Sequence, residues 1–253
     1  MKHLRSSTEI LAEILAEIPL KTRYRRPWKA KANTSLRYLA TPILIQMDTP
    51  ESTSATDPIV SVSPNGDIIL VVGPQAVRLR VHSLFLRSAS KVFNAMFGPN
   101  WSEGQGLSEQ SPRQVIMEED DPEALRIICC VIHHLNDDVP RTLSPEQVFQ
   151  IAIEIDKYDL AVALRYATSQ WLKGSDTLDV LRMGYLMASA FLISDMENFA
   201  KYTLELILHS TGPYLELLTN EKISQAVPWK TICESRLLWR TWLFTKRKGH
   251  SIN

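Results

Sequence analysis

The chain has 253 residues, which is enough for one large domain or two modest ones. Hydrophobic residues make up 45% and charged residues 22%, a globular balance that excludes a chain disordered throughout. The 28 basic residues are matched by 28 acidic ones, so no net charge recruits nucleic acid or a membrane surface.

The N-terminal residues 1–61 are predicted to form an extension. Residues 6–18 carry one apolar stripe at helical spacing, which indicates a short amphipathic helix that packs on another part of the chain. The basic stretch 21–37 holds seven basic residues and no acidic one, and a short apolar run follows at residues 43–47. Residues 48–65, rich in Pro, Ser and Thr, are typical of a linker.

Strand patterns begin at about residue 62. Residues 67–72 form a β-branched run between turn signals, and residues 77–81 alternate apolar and basic side chains. Because only four residues separate the two runs, they are predicted to pair as a hairpin. Residues 115–117 are a third strand candidate, which gives a small sheet of about three strands.

Helical patterns dominate the chain after the strands. Asp121 before Pro122 and Ser144 before Pro145 have the chemistry of helix starts, and Gln147 completes a capping box. Helices are predicted at 122–135, 145–155, 159–172, 177–192 and 195–209. Strands followed by helices indicate an α+β fold. The predicted core includes Leu84, Leu86, Phe93, Phe97, Leu125 and Ile128.

The three cysteines, Cys129, Cys130 and Cys233, are odd in number, and two are adjacent within an apolar run. This pattern is not typical of a disulfide framework and favours a reducing compartment, so we expect a location in the nucleus or cytoplasm. The longest nearly apolar stretch, 185–193, is shorter than a bilayer span, and no membrane partner is expected.

No catalytic or nucleotide-binding signature occurs in the sequence, so we predict that the protein is not an enzyme and has no cofactor. Cys129 and His133, like Cys130 and His134, stand four residues apart on a predicted helix, which would suit a metal site. The alternative, which we favour, is that Cys129 belongs to the apolar core stripe and that no metal is bound.

The ordered landmarks over residues 62–172 resemble a BTB/POZ domain, and in particular fungal-type members of that family. They comprise Asp67, Val81-His82, Leu86, Ser90, Phe93, Met96-Phe97, Trp101-Ser-Glu103, the acidic strand end at 115–122, and Ile155-Asp-Lys-Tyr158. The resemblance implies a small sheet covered by a cluster of helices, followed by an all-helical region at 173–253. It also places Asp67 and His82 near a charged pocket. For His82 we favour a structural role, because it ends an alternating strand that faces a helix start.

A BTB/POZ resemblance implies a protein–protein interaction adaptor. The partner would be a cullin scaffold of a ubiquitin ligase or another BTB protein, and a homodimeric, oligomerising regulator is an alternative. The predicted docking residues are Trp101 with Glu103 and Tyr158 with Asp159, although Trp101 could instead cap the helical hairpin. An alternative function is a nucleic-acid-associated transcriptional or chromatin regulator that uses residues 21–37, where Tyr24 and Trp28 interleave with cations.

Overall fold

The computed structural model describes residues 59–173, 179–209, 217 and 219–228. The amphipathic helix at 6–18, the basic stretch at 21–37 and the Trp-rich end with Trp229, Trp239 and Trp242 lie outside the described residues.

A four-stranded mixed sheet forms one layer of the fold. Its strands are β1 (Val60–Ser61), β2 (Ile68–Val72), β3 (Val77–Val81) and β4 (Arg113–Met117), in the order β1-β3-β2-β4. The pairing of β2 with β3 is antiparallel, which confirms the predicted hairpin. The edge strands β1 and β4 run parallel to β3 and β2, respectively.

The short strand β1 lies within the segment interpreted as a linker, so that interpretation is wrong for residues 60–61. Val60 lies opposite Leu79 of β3, and the backbone N–H groups of Val62 and Ser63 both donate to the Arg80 carbonyl. Backbone pairing with β3 therefore decides the conformation there, although the composition of the segment is typical of a loop.

Eight helices are assigned with bounds among the described residues. They are α1 (Ser83–Ala89), α2 (Lys91–Met96), α3 (Pro122–Ile132), α4 (Pro145–Lys157), α5 (Arg165–Trp171), α6 (Val180–Leu192), α7 (Met196–His209) and α8 (Glu221–Ala226). Single turns of 3-10 helix lie at Ser102–Gly104 and Asn136–Asp138.

Side-chain caps fix the helix starts. Asp121 caps α3, Ser90 caps α2, and the Ser144–Gln147 capping box at α4 is present. The helix predicted at 159–172 is too long at its start, because residues 161–164 form a turn and α5 begins at Arg165. Asp159, with a φ of 53°, interrupts the helical path after α4.

One face of the sheet packs against the helices. Leu70, Leu79 and Val115 are buried there, and α4, α6 and α7 pack successively on one another to extend the same core. Of the six predicted core residues, five are buried and Leu84 is not: it is 62% exposed, whereas Leu86 is fully buried. Leu84 and Leu86 are two residues apart on α1, so their side chains point in directions that differ by about 200°, and the helix cannot bury both.

Candidate interaction surface

The loop that follows α2 is a chain of tight turns. The Gly98 N–H donates to the Ala95 carbonyl at 3.1 Å, the Trp101 N–H to Gly98 at 3.3 Å, and the Gly104 N–H to Trp101 at 3.2 Å. Consecutive turns of this kind hold the backbone of residues 98–104 in one path on the end of α2.

Gly104 lets this loop lie directly on the C-terminal end of α2. A Cβ atom at position 104 would stand 2.2 Å from the Gly98 carbonyl oxygen and 2.5 Å from the Phe97 carbonyl carbon, so only glycine fits. The close approach of the two backbones makes the loop a fixed platform for the side chains that it carries.

Trp101 and Glu103 project from this platform. The Trp101 side chain is 45% exposed, and the half-buried Glu103 accepts a hydrogen bond from the Ser102 hydroxyl at 2.9 Å. An accessible indole beside an oriented carboxylate can provide apolar contact together with a charge-assisted hydrogen bond.

Tyr158, predicted as a docking residue, is instead part of the core, and this is a correction. Its side chain is only 4% exposed, its ring stacks on Phe93 at a centroid distance of 4.5 Å, and its hydroxyl donates to Asp120 Oδ2 at 2.5 Å. Burial and the neighbouring Asp120 raise the pKa of the Tyr158 hydroxyl well above its ordinary value. The ring has no face left for a partner.

The acidic strand end and the Asp-Lys-Tyr run meet in space at Asp120. This buried carboxylate pairs with the Lys157 ammonium and accepts the Tyr158 hydroxyl, while Glu154 Oε1 accepts the Asp121 N–H at 3.1 Å. Burial, followed by the charge of Asp120, raises the pKa of the Glu154 carboxyl to about 8. The acidic residues after β4 and the Asp-Lys-Tyr run at the end of α4 therefore hold these two elements together.

Asp159, the fourth predicted docking residue, remains partly exposed next to the α1–α2 hairpin. The Ser90 hydroxyl at the start of α2 donates to the Tyr158 carbonyl at 2.5 Å and fixes the end of α4 there. Lys91, Asn94 and Ala95 line the exposed side of α2. The six-residue helix α2 thus connects the Asp159 end of this surface to the loop that carries Trp101.

Two exposed apolar residues at the Asp159 end escaped the sequence analysis. Val162 is 78% exposed and Tyr166 is 88% exposed, and their spacing of four residues places them on one side of the turn that enters α5. The sequence signal that could have identified them is Tyr166, an aromatic residue that belongs to no apolar stripe. We define the interaction surface as Trp101, Glu103, the exposed side of α2, Asp159, Val162 and Tyr166.

Asp67 and His82 have structural partners. Asp67 accepts hydrogen bonds from the Ser83 N–H at 2.7 Å and the Ser83 hydroxyl at 2.6 Å, at the start of α1. The His82 N–H donates to His133 Nε2 at 2.9 Å, and His133 Nδ1 lies 2.8 Å from the Cys129 carbonyl. These bonds assign the proton of neutral His133 to Nδ1, and burial lowers its pKa.

Cys129 lies in the core stripe of α3, where burial raises the pKa of its thiol to about 12. Both ring nitrogens of His133 already have backbone partners, the His82 N–H and the Cys129 carbonyl. Among the residues that the structure describes, no group of three metal-ligating side chains comes together. Over the same residues, no helix is both long and apolar enough to cross a bilayer.

Comparison with protein families agrees with this geometry. The model of the BTB/POZ domain family matches residues 64–168, which span the sheet, the α1–α2 hairpin and the helices through most of α5. This match confirms the resemblance and the α+β fold expected from it. No curated protein matches the chain in sequence.

Proposed function

We propose that this chain, which carries a BTB/POZ domain at residues 64–168, is a non-enzymatic adaptor that docks on the cullin scaffold of a ubiquitin ligase. The BTB/POZ family is one of protein-interaction domains, and a cullin is one class of protein that such a domain can bind. The observation that carries it is the exposed Trp101 beside Glu103 on a loop whose backbone is fixed against α2.

The rigidity of the loop supports a role in binding. A side chain on a fixed backbone loses less conformational freedom when a partner immobilises it, so more of its contact energy appears as affinity. Tryptophan is also the residue type most enriched among energetic hot spots of protein interfaces. A loop held by Gly104 therefore favours a partner that receives the indole in a preformed pocket.

The length of the interaction surface fits a helical scaffold. The exposed side of α2 extends about 9 Å between the Asp159 end and the Trp101 loop. Tyr166, seven residues after Asp159 in the chain, supplies a second exposed aromatic side chain. Two aromatic residues separated by a short polar helix suit a partner helix or helix pair that contacts both ends.

Replacing Trp101 and Glu103 together by alanine should weaken binding to a purified cullin N-terminal domain at least about 30-fold, which corresponds to about 2 kcal/mol. The indole contact and the carboxylate hydrogen bond would both be lost. Isothermal titration calorimetry with the full chain measures this change. The melting temperature should stay nearly constant, because both side chains project from the surface.

A matched control replaces Leu84 and Glu109, an exposed apolar residue and an exposed glutamate outside the interaction surface, by alanine. This double variant should bind the cullin domain like the wild type. Failure of the wild-type chain to bind would contradict the cullin assignment, and a dimer in light scattering would then favour the oligomerising regulator. Unfolding of the Trp101 and Glu103 variant would show that Trp101 serves mainly to cap the hairpin.

A further inference from the structure

One face of the sheet lies away from the helices. Leu70, Leu79 and Val115 point into the core, so the residues that alternate with them along each strand point to the opposite side. We call that side the outer face, and its members are Ile69, Val71, Arg78, Arg80, Gln114 and Ile116. The outer face therefore places two arginines of β3 next to apolar side chains of β2 and β4.

Arg78, on the inner strand β3, has a half-buried side chain and lies opposite Val71 of β2. Its Nε atom is buried and has no hydrogen-bond acceptor in the part of the chain that the structure describes. No carboxylate of that part pairs with its guanidinium either. A buried donor on a charged group lowers the stability of the fold when it lacks an acceptor, so an acceptor from a partner would be favourable.

Arg80 is oriented by backbone carbonyls. Its Nε donates to the Gly66 carbonyl at 3.0 Å, and its Nη2 donates to the Glu109 carbonyl at 2.8 Å. These bonds fix the plane of the guanidinium and leave further N–H groups for an anion. Over the described ranges, Arg80 also pairs with no carboxylate. Because residues two apart on a strand point the same way and lie roughly 7 Å apart, Arg78 and Arg80 form a single positive site.

Apolar side chains border this positive site. Ile116 is 70% exposed and lies beside Val71, which is opposite Arg78. Since neighbouring strands are about 4.8 Å apart, Arg78 and Ile116 lie about 10 Å apart in one row across the sheet. The phosphates of a nucleic acid would satisfy the arginines but leave Ile116 in water, whereas a polypeptide can cover both. The composition of the outer face therefore favours an acidic polypeptide that also carries apolar residues.

We propose that the outer face binds an acidic segment of a partner protein in which carboxylates alternate with apolar side chains. The carboxylates pair with Arg78 and Arg80, and an apolar side chain packs on Val71 and Ile116. In an extended segment, a glutamate and an isoleucine two positions apart point the same way at roughly 7 Å, which suits the row from Arg78 to Ile116. The outer face shares no residue with the interaction surface defined above, so this site is additional to the one proposed for a cullin.

A synthetic peptide tests the proposal with the full chain. The fluorescein-labelled peptide carries glutamate and isoleucine in turn at every second position, with serine between them, and a second peptide has glutamine in place of each glutamate. Fluorescence anisotropy should show saturable binding of the acidic peptide that weakens as salt is added. The glutamine peptide should bind at least about tenfold more weakly, because it cannot form charge-assisted hydrogen bonds with the arginines.

Arg78→Met should weaken binding of the acidic peptide at least about tenfold, because it removes the charge and keeps an apolar stem over the sheet. The melting temperature should stay equal or rise, since the lost donor has no acceptor in the described fold. The matched control is Arg141→Met, at an exposed arginine in the loop before α4, and it should bind the peptide like the wild type. The double alanine variant of Trp101 and Glu103 should also bind it normally, which separates this site from the cullin surface.

Four results would overturn the proposal. Without saturable binding of the acidic peptide to the wild-type chain, the outer face would be covered by another part of the chain or by a second copy. Equal affinity for the two peptides would mean that charge does not select the occupant. A lower melting temperature of Arg78→Met would assign Arg78 to the stability of the fold. Tighter binding of a single-stranded oligothymidylate than of the acidic peptide would make the outer face a nucleic-acid surface.

Discussion

Replacing Phe93 by alanine should lower the free energy of unfolding by about 3–5 kcal/mol. Phe93 is almost completely buried, and its ring stacks on Tyr158 at 4.5 Å and on Phe97 at 5.7 Å. The substitution removes apolar area from the core and leaves a cavity between α2 and the end of α4. Urea unfolding followed by circular dichroism measures the loss.

The control for this experiment is Tyr166→Ala, which also truncates an aromatic side chain, but one that is mostly in solvent. It should change the free energy of unfolding by less than about 0.5 kcal/mol. Similar effects of the two substitutions would show that the stacked arrangement of Phe93, Phe97 and Tyr158 does not stabilise the domain.

The stability of the domain should depend on pH through Glu154. Its Oε2 atom is buried without a hydrogen-bond partner among the described residues, and its neighbours include Asp120, Asp121 and Lys157. Burial and the charge of Asp120 raise the pKa of the Glu154 carboxyl from its ordinary 4.5 to about 8. The folded chain therefore holds a proton on Glu154 that the unfolded chain releases between these two pH values.

The sign of the effect follows from proton linkage. Because the folded state binds the extra proton, the contribution of Glu154 is fully present below about pH 4.5 and is lost as the pH rises towards 8. The loss is on the order of 3–5 kcal/mol over this range, at 1.36 kcal/mol per pKa unit. Glu154→Gln keeps the neutral form, so the variant should become more stable than the wild type as the pH increases.

Urea unfolding of both proteins at pH 5, 6, 7 and 8 gives the difference in unfolding free energy at each pH, in which the titration of all other groups largely cancels. Glu146→Gln, at an exposed first-turn position of the same helix α4, is the control and should show a nearly constant difference from the wild type. A Glu154→Gln difference that does not change with pH would mean that Glu154 is ionised in the folded protein.

The local chemistry of the chain was readable from the sequence. The hairpin of β2 and β3, the caps at Ser90, Asp121 and Ser144, and most helix positions follow from spacing and side-chain type within a few residues. The BTB/POZ resemblance was available for the same reason, because its landmarks occur in order along the chain. Trp101 and Glu103 could be selected as docking residues, and their role stays a prediction.

The assignments that depend on distant parts of the chain were decided by the tertiary structure. Tyrosine is a residue type typical of interface anchors, but the Tyr158 hydroxyl donates a hydrogen bond in the core to Asp120, which is 38 residues away in the chain. Leucine is a residue type typical of cores, but the packing of α1 buries Leu86 and leaves Leu84 exposed. The sequence by itself determined most of the helices and strands and the resemblance of residues 62–172 to a BTB/POZ domain, because these follow from neighbouring residues. The burial of Tyr158 and the exposure of Leu84 were decided by packing between elements, because burial depends on all the surfaces that meet at a site.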